Sequence, residues 1–224
     1  MKVIITGATG LVGSSLLHDC ISNSEITHIF ALTRKPLSQE LAASQKLTVI
    51  IHDEFLDYPP ELLKQLVGAE ACLWALGGRR PQFPDAETFR KVSVDYTLTA
   101  AQAFIAYPAP HLPYGQKFRF VFCSGKNAEW DQTKRLTFME ETRKVKGQCE
   151  KGLCDLEDAN KDLFEVFAVQ PAVILPRDAG CMSKVIGKLY GGIPADILMR
   201  GMVRVALHDF PERLIETDKL LEKK

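Results

Sequence analysis

A glycine-rich segment near the start of the chain has the residue types and spacing of a phosphate-binding turn. The segment TGATGLVGSSL places Gly7, Gly10 and Gly13 three residues apart, after the apolar run KVIIT and at the start of the amphipathic run LVGSSLLHDCI. In this context the first glycine permits a tight turn, the second lets the backbone approach a pyrophosphate and the third lets a helix pack on a strand. The free N–H groups of the helix then attract phosphate. The segment therefore predicts a dinucleotide-binding turn.

The end of the second apolar run distinguishes between the two nicotinamide dinucleotides. The run THIFALT ends at Thr33 and leads into Arg34 and Lys35, with no acidic residue at its tip. An acidic residue there binds the ribose 2′-hydroxyl of NAD, whereas a guanidinium can hold the 2′-phosphate of NADP with two hydrogen bonds. We therefore predict that Arg34 binds this phosphate, assisted by Thr33 and Lys35. The alternative interpretation is a solvated basic pair on a surface loop.

The elements that position these residues alternate along the chain. Short apolar runs predict strands at KVIIT, THIFALT, LTVIIH, ACLWALG, KFRFVFCS and LFEVFAVQP, and amphipathic runs between them predict helices, including residues 84–106 and about 138–159. This order predicts an α/β fold, a doubly wound, mainly parallel Rossmann sheet flanked by helices. We expect one domain over residues 1–224. Residues from about 176 onward are predicted to form a small, mainly helical cap on the substrate side.

Composition narrows the classes of partner. The 28 basic residues equal the 28 acidic ones, so the chain has no charge pattern for nucleic acid or an anionic membrane. No apolar run has the length of a membrane span or the form of a signal peptide, which favours a cytoplasmic protein. Six cysteines without a CxxC pair are expected to be buried, reduced thiols, and no metal site is predicted. We expect a small-molecule substrate, with a homodimer as one option for the assembly.

The loops that follow the third and fourth strands add residues to the predicted cofactor site. His52 and Asp53 follow the third strand, where this fold usually contacts adenine, and either of them could reach the base. Residues 75–78 after the fourth strand should pass along the adenine ribose and the pyrophosphate. Plain loop structure is the alternative for both segments.

Six segments occur in an order that resembles the atypical short-chain dehydrogenase/reductases. They are TGATGLVG, ALGGRR, VSVDYTLTAA, FCSGKNA, KVKGQCE and VQPAVILP, and within the family they are most similar to the Tat-interacting-protein (CC3-type) oxidoreductase branch. The resemblance covers the chain to about residue 176. It implies an NAD(P)-binding Rossmann protein with oxidoreductase chemistry.

The resemblance also assigns catalytic positions, and the chain departs from the family at one of them. In the family, a serine after strand five and a Tyr-x-x-x-Lys motif on the next helix carry out the reaction. Ser124 and Lys146 match, but Thr142 stands where the tyrosine belongs, and no tyrosine occurs between residues 115 and 189. A threonine hydroxyl is a much weaker acid than a phenol with a pKa of about 10. Losing general acid catalysis typically costs about 10²–10⁴-fold in rate.

Other polar residues are candidates for supporting roles. Asp95 matches the region in which the family has an Asn-like residue that supports the active site. Trp130 and Asp131, in the long segment before the Lys146 helix, are candidates for lining the pocket. The missing proton would then come from a water chain or from one of four side chains, which are Tyr96, Asp131, Tyr190 and His208.

Three functions follow. The first is an NADP(H)-dependent reductase of a small carbonyl or alkene. The second is a non-redox isomerase or cyclase that keeps the cofactor pocket. The third is a non-enzymatic NADP(H)-dependent regulatory or scaffold protein. The missing tyrosine favours the second and third functions, whereas the presence of Ser124 and Lys146 favours the first. The candidate catalytic residues are Ser124, Thr142 and Lys146, and the predicted cofactor-binding residues are Gly7, Ala8, Thr9, Gly10, Leu11, Val12, Thr33, Arg34, Lys35, His52, Asp53, Ala75, Leu76, Gly77, Lys146 and Pro171.

Overall fold

A parallel sheet forms the centre of the protein. The structure is a computed structural model that describes residues 1–176 and 191–221. Its strands are β1 (Lys2–Thr6), β2 (His28–Thr33), β3 (Leu47–Ile51), β4 (Ala71–Trp74), β5 (Phe118–Cys123), β6 (Phe164–Gln170), β7 (Val173–Leu175), β8 (Gly192–Pro194) and β9 (Leu214–Glu216). Seven of them form one sheet in the order β3-β2-β1-β4-β5-β6-β9, and β7 pairs with β8. All of these pairings are parallel.

Helices connect the strands. They are α1 (Leu11–Ser22), α2 (Gln39–Ala42), α3 (Pro60–Gln65), α4 (Ala86–Arg90), α5 (Tyr96–Ala106), α6 (Glu140–Ala159), α7 (Ala195–Leu207) and α8 (Thr217–Leu221), and a π-helical turn at Lys91–Asp95 joins α4 to α5. The order of the first six strands is that of dinucleotide-binding Rossmann proteins. The six strands and the main helices that the sequence predicts are confirmed, and so is the α/β fold class.

The core has two layers, one on each face of the sheet. Along β5, Phe118, Phe120 and Phe122 pack on one face, while Val121 packs on the opposite face against the layer that includes α1. All four side chains are fully buried. Side chains of a strand alternate between faces, so burial on both faces requires the continuous apolar sequence seen here.

The described part of the C-terminal segment is built into this core. Helix α7 packs beside α1 and buries Leu198, Met199 and Met202 against the sheet, and β9 extends the sheet beyond β6. The helical prediction for this segment therefore missed β8 and β9, which are only three residues long. Residues 177–190 lie outside the described residues, and the substrate-side cap stays a prediction.

Two further findings concern the chain as a whole. Within the described residues, no helix is long and apolar enough to cross a membrane. Five cysteines are buried with free thiols, and Cys181 lies outside the described residues. Burial raises the pKa of Cys20 and Cys149 to about 12, so these thiols stay protonated and unreactive at neutral pH.

Candidate functional site

Two of the three glycines in the predicted phosphate-binding turn are required by the fold itself. Gly7 has a φ of +68°, and a Cβ there would lie 2.6 Å from the carbonyl oxygen of Ala75. A Cβ on Gly13 would lie 2.1 Å from the carbonyl oxygen of Gly7. Any side chain at either position would therefore collide with the backbone. These glycines set the tight turn and the close packing of α1 on β1, as the sequence predicts.

Gly10 differs from these two glycines, because internal packing places little demand on it. A Cβ there would have one neighbour within 4 Å among the described residues, the Gly7 carbonyl oxygen at 3.3 Å. Gly10 is exposed at the N-cap of α1, which has no side-chain cap and no acidic residue in its first turn. The N-terminus of α1 therefore has open space and uncapped N–H groups, which is the environment that a pyrophosphate requires. Around it, Ala8 is buried, Val12 is half-buried and Thr9 and Leu11 are exposed.

At the end of β2, a short turn holds two basic side chains outward. The buried Thr33 hydroxyl donates a hydrogen bond to the Lys35 carbonyl oxygen at 2.9 Å, which shapes the turn. Arg34 and Lys35 are exposed, and within the described residues neither side chain has a hydrogen bond or an ion pair. Among the described residues, no carboxylate therefore neutralises these two cations at the tip of β2.

The two residues predicted to contact adenine are placed very differently. The His52 ring turns inward, with its centroid 4.9 Å from that of Phe55 and 5.0 Å from that of Tyr58. Burial lowers the pKa of His52, so the ring is neutral at pH 7. Asp53 is exposed at the carboxyl edge of the sheet. Of the two, Asp53 is the residue that an external ligand can reach.

The loop after β4 links the glycine turn to the second half of the site. The Ala75 N–H donates to the buried Thr6 hydroxyl at 3.2 Å, which fixes the start of the loop beside Gly7. Leu76 is partly buried. Gly77, with a φ of +129°, lies farther along, where a Cβ would be 3.7 Å from both Lys146 Nζ and Ser93 Oγ. The predicted residues of this loop therefore extend from the phosphate turn to Lys146.

Lys146 is an ammonium held in a buried position on α6. The side chain is 8% exposed, and Nζ donates a hydrogen bond to the Cys123 carbonyl oxygen at 3.0 Å. It also lies 4.8 Å from the centroid of the Phe122 ring, a distance that permits a cation–π interaction. An ammonium has three donors. Lys146 therefore has capacity for further hydrogen bonds at the carboxyl edge of β5.

Two buried hydroxyls accompany this ammonium. Ser124 directly follows the carbonyl that Lys146 binds and is 6% exposed, and Ser93 lies across Gly77 and is 1% exposed. Neither hydroxyl has a hydrogen-bond partner among the described residues. Because buried polar groups are usually paired, unmet capacity at two serines and a lysine indicates a place for a polar ligand.

Ser93 is a residue that the sequence reasoning missed. The resemblance pointed instead to Asp95, which pairs with Arg90 at 3.0 Å in a partly exposed position. Ser93 lies in the π-helical turn between α4 and α5. Such turns shift the helical register and are frequent at functional sites. The hydroxyl inside the apolar run VSV was the available signal.

Thr142 is occupied by a structural contact. Its buried hydroxyl accepts a hydrogen bond from the Arg80 N–H at 3.1 Å, and the Arg80 side chain forms an ion pair with Glu141 at 2.9 Å. These two contacts tie the loop after β4 to the first turn of α6. The structure thus gives the hydroxyl at the tyrosine position a role in joining two segments.

Three of the four alternative proton donors lie in the described part of the chain, and each has contacts or a charge of its own. Tyr96 stacks on Phe55 with the ring centroids 5.7 Å apart. Hydrogen bonds from the Thr133 hydroxyl and N–H lower the pKa of Asp131, which is therefore a carboxylate at neutral pH. His208 follows α7 and lines a cleft of about 350 Å³ with Asn23, at the amino edge of the strands. Tyr190 lies outside the described residues.

Pro171 lies at the carboxyl edge of the sheet, after the strand next to the one that leads into Ser124. It directly follows β6, and its carbonyl oxygen accepts a hydrogen bond from the Lys126 N–H at 2.8 Å. This bond joins the end of β6 to the segment after β5. The residues that line the site thus follow four neighbouring strands of the sheet, β2, β1, β4 and β5, and β6 lies at its far side.

The chain has a Rossmann fold that is also found in short-chain dehydrogenase/reductases. It is similar to UDP-glucuronic acid 4-epimerase from Bacillus cereus in complex with NAD (TM-score 0.68, 14% identity, 96% of this chain and 76% of that one). It is also similar to Gre2 from Candida albicans in complex with NADPH (TM-score 0.69, 14% identity, 96% and 77%). A short-chain dehydrogenase/reductase from Saccharomyces cerevisiae matches with a TM-score of 0.70 at 11% identity, over 96% and 95% of the two chains.

Sequence comparison adds partial relatives. No protein-family model matches the chain. Leucinostatins biosynthesis cluster protein T of Purpureocillium lilacinum is 35% identical over 124 residues, which are 55% of this chain and 42% of that protein. The mitochondrial protein FMP52 of Candida albicans is 31% identical over 104 residues, 46% and 44% of the two chains. The matches thus span less than half the length of each relative. The predicted Rossmann fold is confirmed, and membership of the atypical short-chain dehydrogenase/reductases and of their CC3-type branch stays a prediction.

Proposed function

We propose that this protein binds NADP(H) and reduces a small carbonyl or alkene substrate. The observation that carries the proposal is the cluster of Ser124 and Lys146, buried and incompletely hydrogen-bonded, at the sheet edge that also holds the open turn at Gly10. Ligands of open α/β sheets bind at this carboxyl edge. Neighbours with the same fold that are described in complex with NAD or NADPH support a nicotinamide cofactor.

The described residues fit NADP(H) along the whole edge. The uncapped N-terminus of α1 at Gly10 would hold the pyrophosphate, because its N–H groups and dipole favour negative charge. Arg34 and Lys35 would hold the 2′-phosphate. The exposed Asp53 is the candidate contact for the adenine, and Lys146 is the candidate contact for the nicotinamide ribose. When bound, NADPH supplies the hydride.

The remaining chemistry belongs to the side chains. The Ser124 hydroxyl is placed to donate a hydrogen bond to the substrate oxygen, and the Lys146 ammonium stabilises negative charge on that oxygen. Such donors act strongly because they are fixed in a site that excludes water. Thr142 supplies no proton, since its hydroxyl is weakly acidic and is bonded to the Arg80 N–H. The proton therefore comes from solvent or from a group other than Thr142.

Titration with NADPH and NADH tests the cofactor assignment. Wild-type protein should bind NADPH at least about tenfold more tightly than NADH, because a paired 2′-phosphate contributes 1.4 kcal/mol or more. Arg34→Ala should remove most of this difference and leave the NADH affinity unchanged. Lys64→Ala, an exposed lysine on α3, is the matched control. Equal affinities for the two dinucleotides in the wild type would refute the assignment of NADP.

A carbonyl and alkene panel tests the activity itself. Consumption of NADPH, followed by its absorbance, should require both Ser124 and Lys146. Tight NADPH binding without consumption of any substrate would retain the cofactor assignment and reject the reductase.

A second candidate function, a non-redox isomerase or cyclase, is favoured by one observation. The Thr142 hydroxyl is engaged with Arg80, so the site has no described acid for a net reduction. In that case substrate would be converted without a net change in NADPH absorbance. Product analysis by mass spectrometry, alongside the absorbance, separates the two functions.

Assembly and compartment stay part of the proposal. A homodimer through α5 and α6 would have to bury the outer face of α6, where Lys151 and Asp155 form an exposed ion pair at 2.6 Å. This face is polar, which does not favour a large apolar interface. The cytoplasm is the proposed compartment, although the name of the relative FMP52 places that protein in mitochondria.

A further inference from the structure

Glu150 is a fully buried carboxylate that the proposed chemistry does not use. It lies on α6 four residues after Lys146, and therefore on the same face of the helix. One of its oxygens accepts a hydrogen bond from Trp130 Nε1 at 2.9 Å, and the other accepts one from Gln170 Nε2 at 2.8 Å. Glu150 thus bridges the segment after β5 and the last residue of β6.

The segment that carries Trp130, residues 124–139, is the β5–α6 loop, and it is held at other points as well. The Glu129 carbonyl oxygen lies directly on Gly147, where a Cβ would come within 2.0 Å of it. The Glu129 N–H donates to the Arg143 carbonyl oxygen at 2.9 Å, and the Lys126 N–H donates to Pro171. The loop therefore lies along α6 and against the end of β6, and Glu150 provides the buried contact between them.

The Trp130 side chain is partly buried and partly exposed. Its N–H is tied inward to Glu150, yet the side chain is 38% exposed. Through Glu150 the indole is linked to Gln170 at the carboxyl end of β6, and it belongs to the loop that begins at Ser124, whose hydroxyl has no partner among the described residues. Burying a carboxylate is costly unless its hydrogen bonds are satisfied. Glu150 has two such donors, one from the β5–α6 loop and one from the end of β6.

We infer that Glu150 is a positioning residue that fixes Trp130 as an apolar wall of the substrate pocket, selecting substrates with a flat, apolar portion. The positioning depends only on the hydrogen bonds of Glu150. The selectivity rests on the proposed function, so the two are tested by separate measurements.

The positioning is tested without any substrate. Glu150→Met removes both acceptors, leaves the N–H groups of Trp130 and Gln170 without their partner, and should loosen the β5–α6 loop. Acrylamide quenching of tryptophan emission should rise about twofold, and amides of residues 126–134 should exchange hydrogen faster. Trp130→Phe, on the partly exposed loop, removes the same hydrogen bond without altering the buried position and should accelerate the same amides.

Glu150→Gln provides the control. Its amide oxygen can accept from Trp130 while its amide N–H donates to the side-chain oxygen of Gln170, whose amide can turn by 180°, so quenching and exchange should stay near wild-type values. A merely space-filling role for Glu150 would not separate Glu150→Met from Glu150→Gln. Unchanged quenching in Glu150→Met, with unchanged exchange in both Glu150→Met and Trp130→Phe, would overturn the positioning role, and so would equal loosening in Glu150→Met and Glu150→Gln.

The selectivity is tested by kinetics with benzaldehyde and propanal. Glu150→Met and Trp130→Phe should raise KM for benzaldehyde about tenfold while kcat stays within twofold. KM for propanal and the affinity for NADPH should not change. A loosened loop with an unchanged KM for benzaldehyde would overturn the selectivity. If the wild type binds NADPH but reduces neither aldehyde, the assignment of an apolar substrate is wrong. If the wild type does not bind NADPH, the proposed function itself is wrong.

Discussion

The two halves of the site differ in how many of the expected functional groups they provide. One half is formed by β1, α1 and β2, and the other lies around β5 and α6. In the first, the glycine turn, the open helix N-terminus and the basic pair at Arg34 and Lys35 lie where a dinucleotide needs them. In the second, Ser124 and Lys146 are in place, but the hydroxyl of Thr142 is bonded to the loop after β4. Cofactor binding and proton transfer are thus carried by separate elements, and one can be retained while the other changes.

The comparison also shows which residues are informative. Gly7 and Gly13 are required by backbone packing, so their presence indicates the fold and says little about a ligand. Gly10 has almost no internal reason to be glycine. In the same way, Lys146 has an internal partner but also unused donors, whereas Thr142 is explained by its contact with Arg80. The best evidence for function comes from residues that the fold does not explain.

The largest expected effect separates fold from ligand within the glycine turn. Gly13→Ala forces a Cβ to 2.1 Å from a backbone oxygen and should lower the free energy of unfolding by about 3 kcal/mol or more. Urea denaturation measures this change. Gly10→Ala is the matched control, with a stability within about 1 kcal/mol of wild type but an NADPH affinity reduced at least about tenfold. Equal loss of stability in the two variants would contradict this division.

The next effect tests the second part of the site. Lys146→Met removes the buried ammonium and should reduce turnover by about 100-fold or more, as expected for losing a preorganised charged donor. Lys151→Met changes an exposed lysine on the same helix and should leave turnover unchanged. Steady-state rates with the best substrate of the panel give the comparison. Similar rates for both variants would remove Lys146 from the chemistry.

Thr142 should affect stability more than activity. Thr142→Val removes the acceptor of the Arg80 N–H and should lower the free energy of unfolding by about 1–2 kcal/mol, with NADPH affinity and turnover within twofold of wild type. Thr142→Ser keeps the hydroxyl and should be nearly neutral. A large loss of turnover in Thr142→Val at unchanged stability would make the threonine catalytic after all.

The smallest expected effect concerns the buried ring of His52, which follows β3. Burial lowers the pKa of His52 below 6.5, so below that pH the unfolded chain takes up a proton before the folded one. Stability should therefore fall as the pH drops below about 6.5, partly offset by the nearby Asp53. His52→Phe should show a smaller loss of urea midpoint between pH 7.5 and 5.5. An identical pH dependence in the variant would show that the ring does not titrate in this way.

Most of the sheet could be predicted because its strands are long apolar runs separated by turn signals. Strands β7, β8 and β9 could not, since three residues are too few to establish a pattern of burial. Their pairing depends on the strands beside them. The same limit affects the C-terminal segment, whose helix was predicted but whose short strands were not.

The site divides along a similar line. The spacing of the glycines and the basic tip of β2 are local, so they could be predicted. The inward turn of His52 and the use of Ser93 depend on the local direction of the chain, which a π-helical turn alters for Ser93. The contact of Thr142 with Arg80 and the burial of Glu150 join segments far apart in sequence, and nothing local indicates them.

The strand β9 has a consequence for synthesis of the protein. It covers the edge of β6, but its residues, Leu214–Glu216, leave the ribosome about 45 residues after β6 is complete. Until then β6 exposes a row of unpaired backbone groups on an otherwise formed sheet, a template for pairing with another nascent chain. Translation pauses in this interval should therefore favour aggregation, and binding by a chaperone that shields strand edges would oppose it.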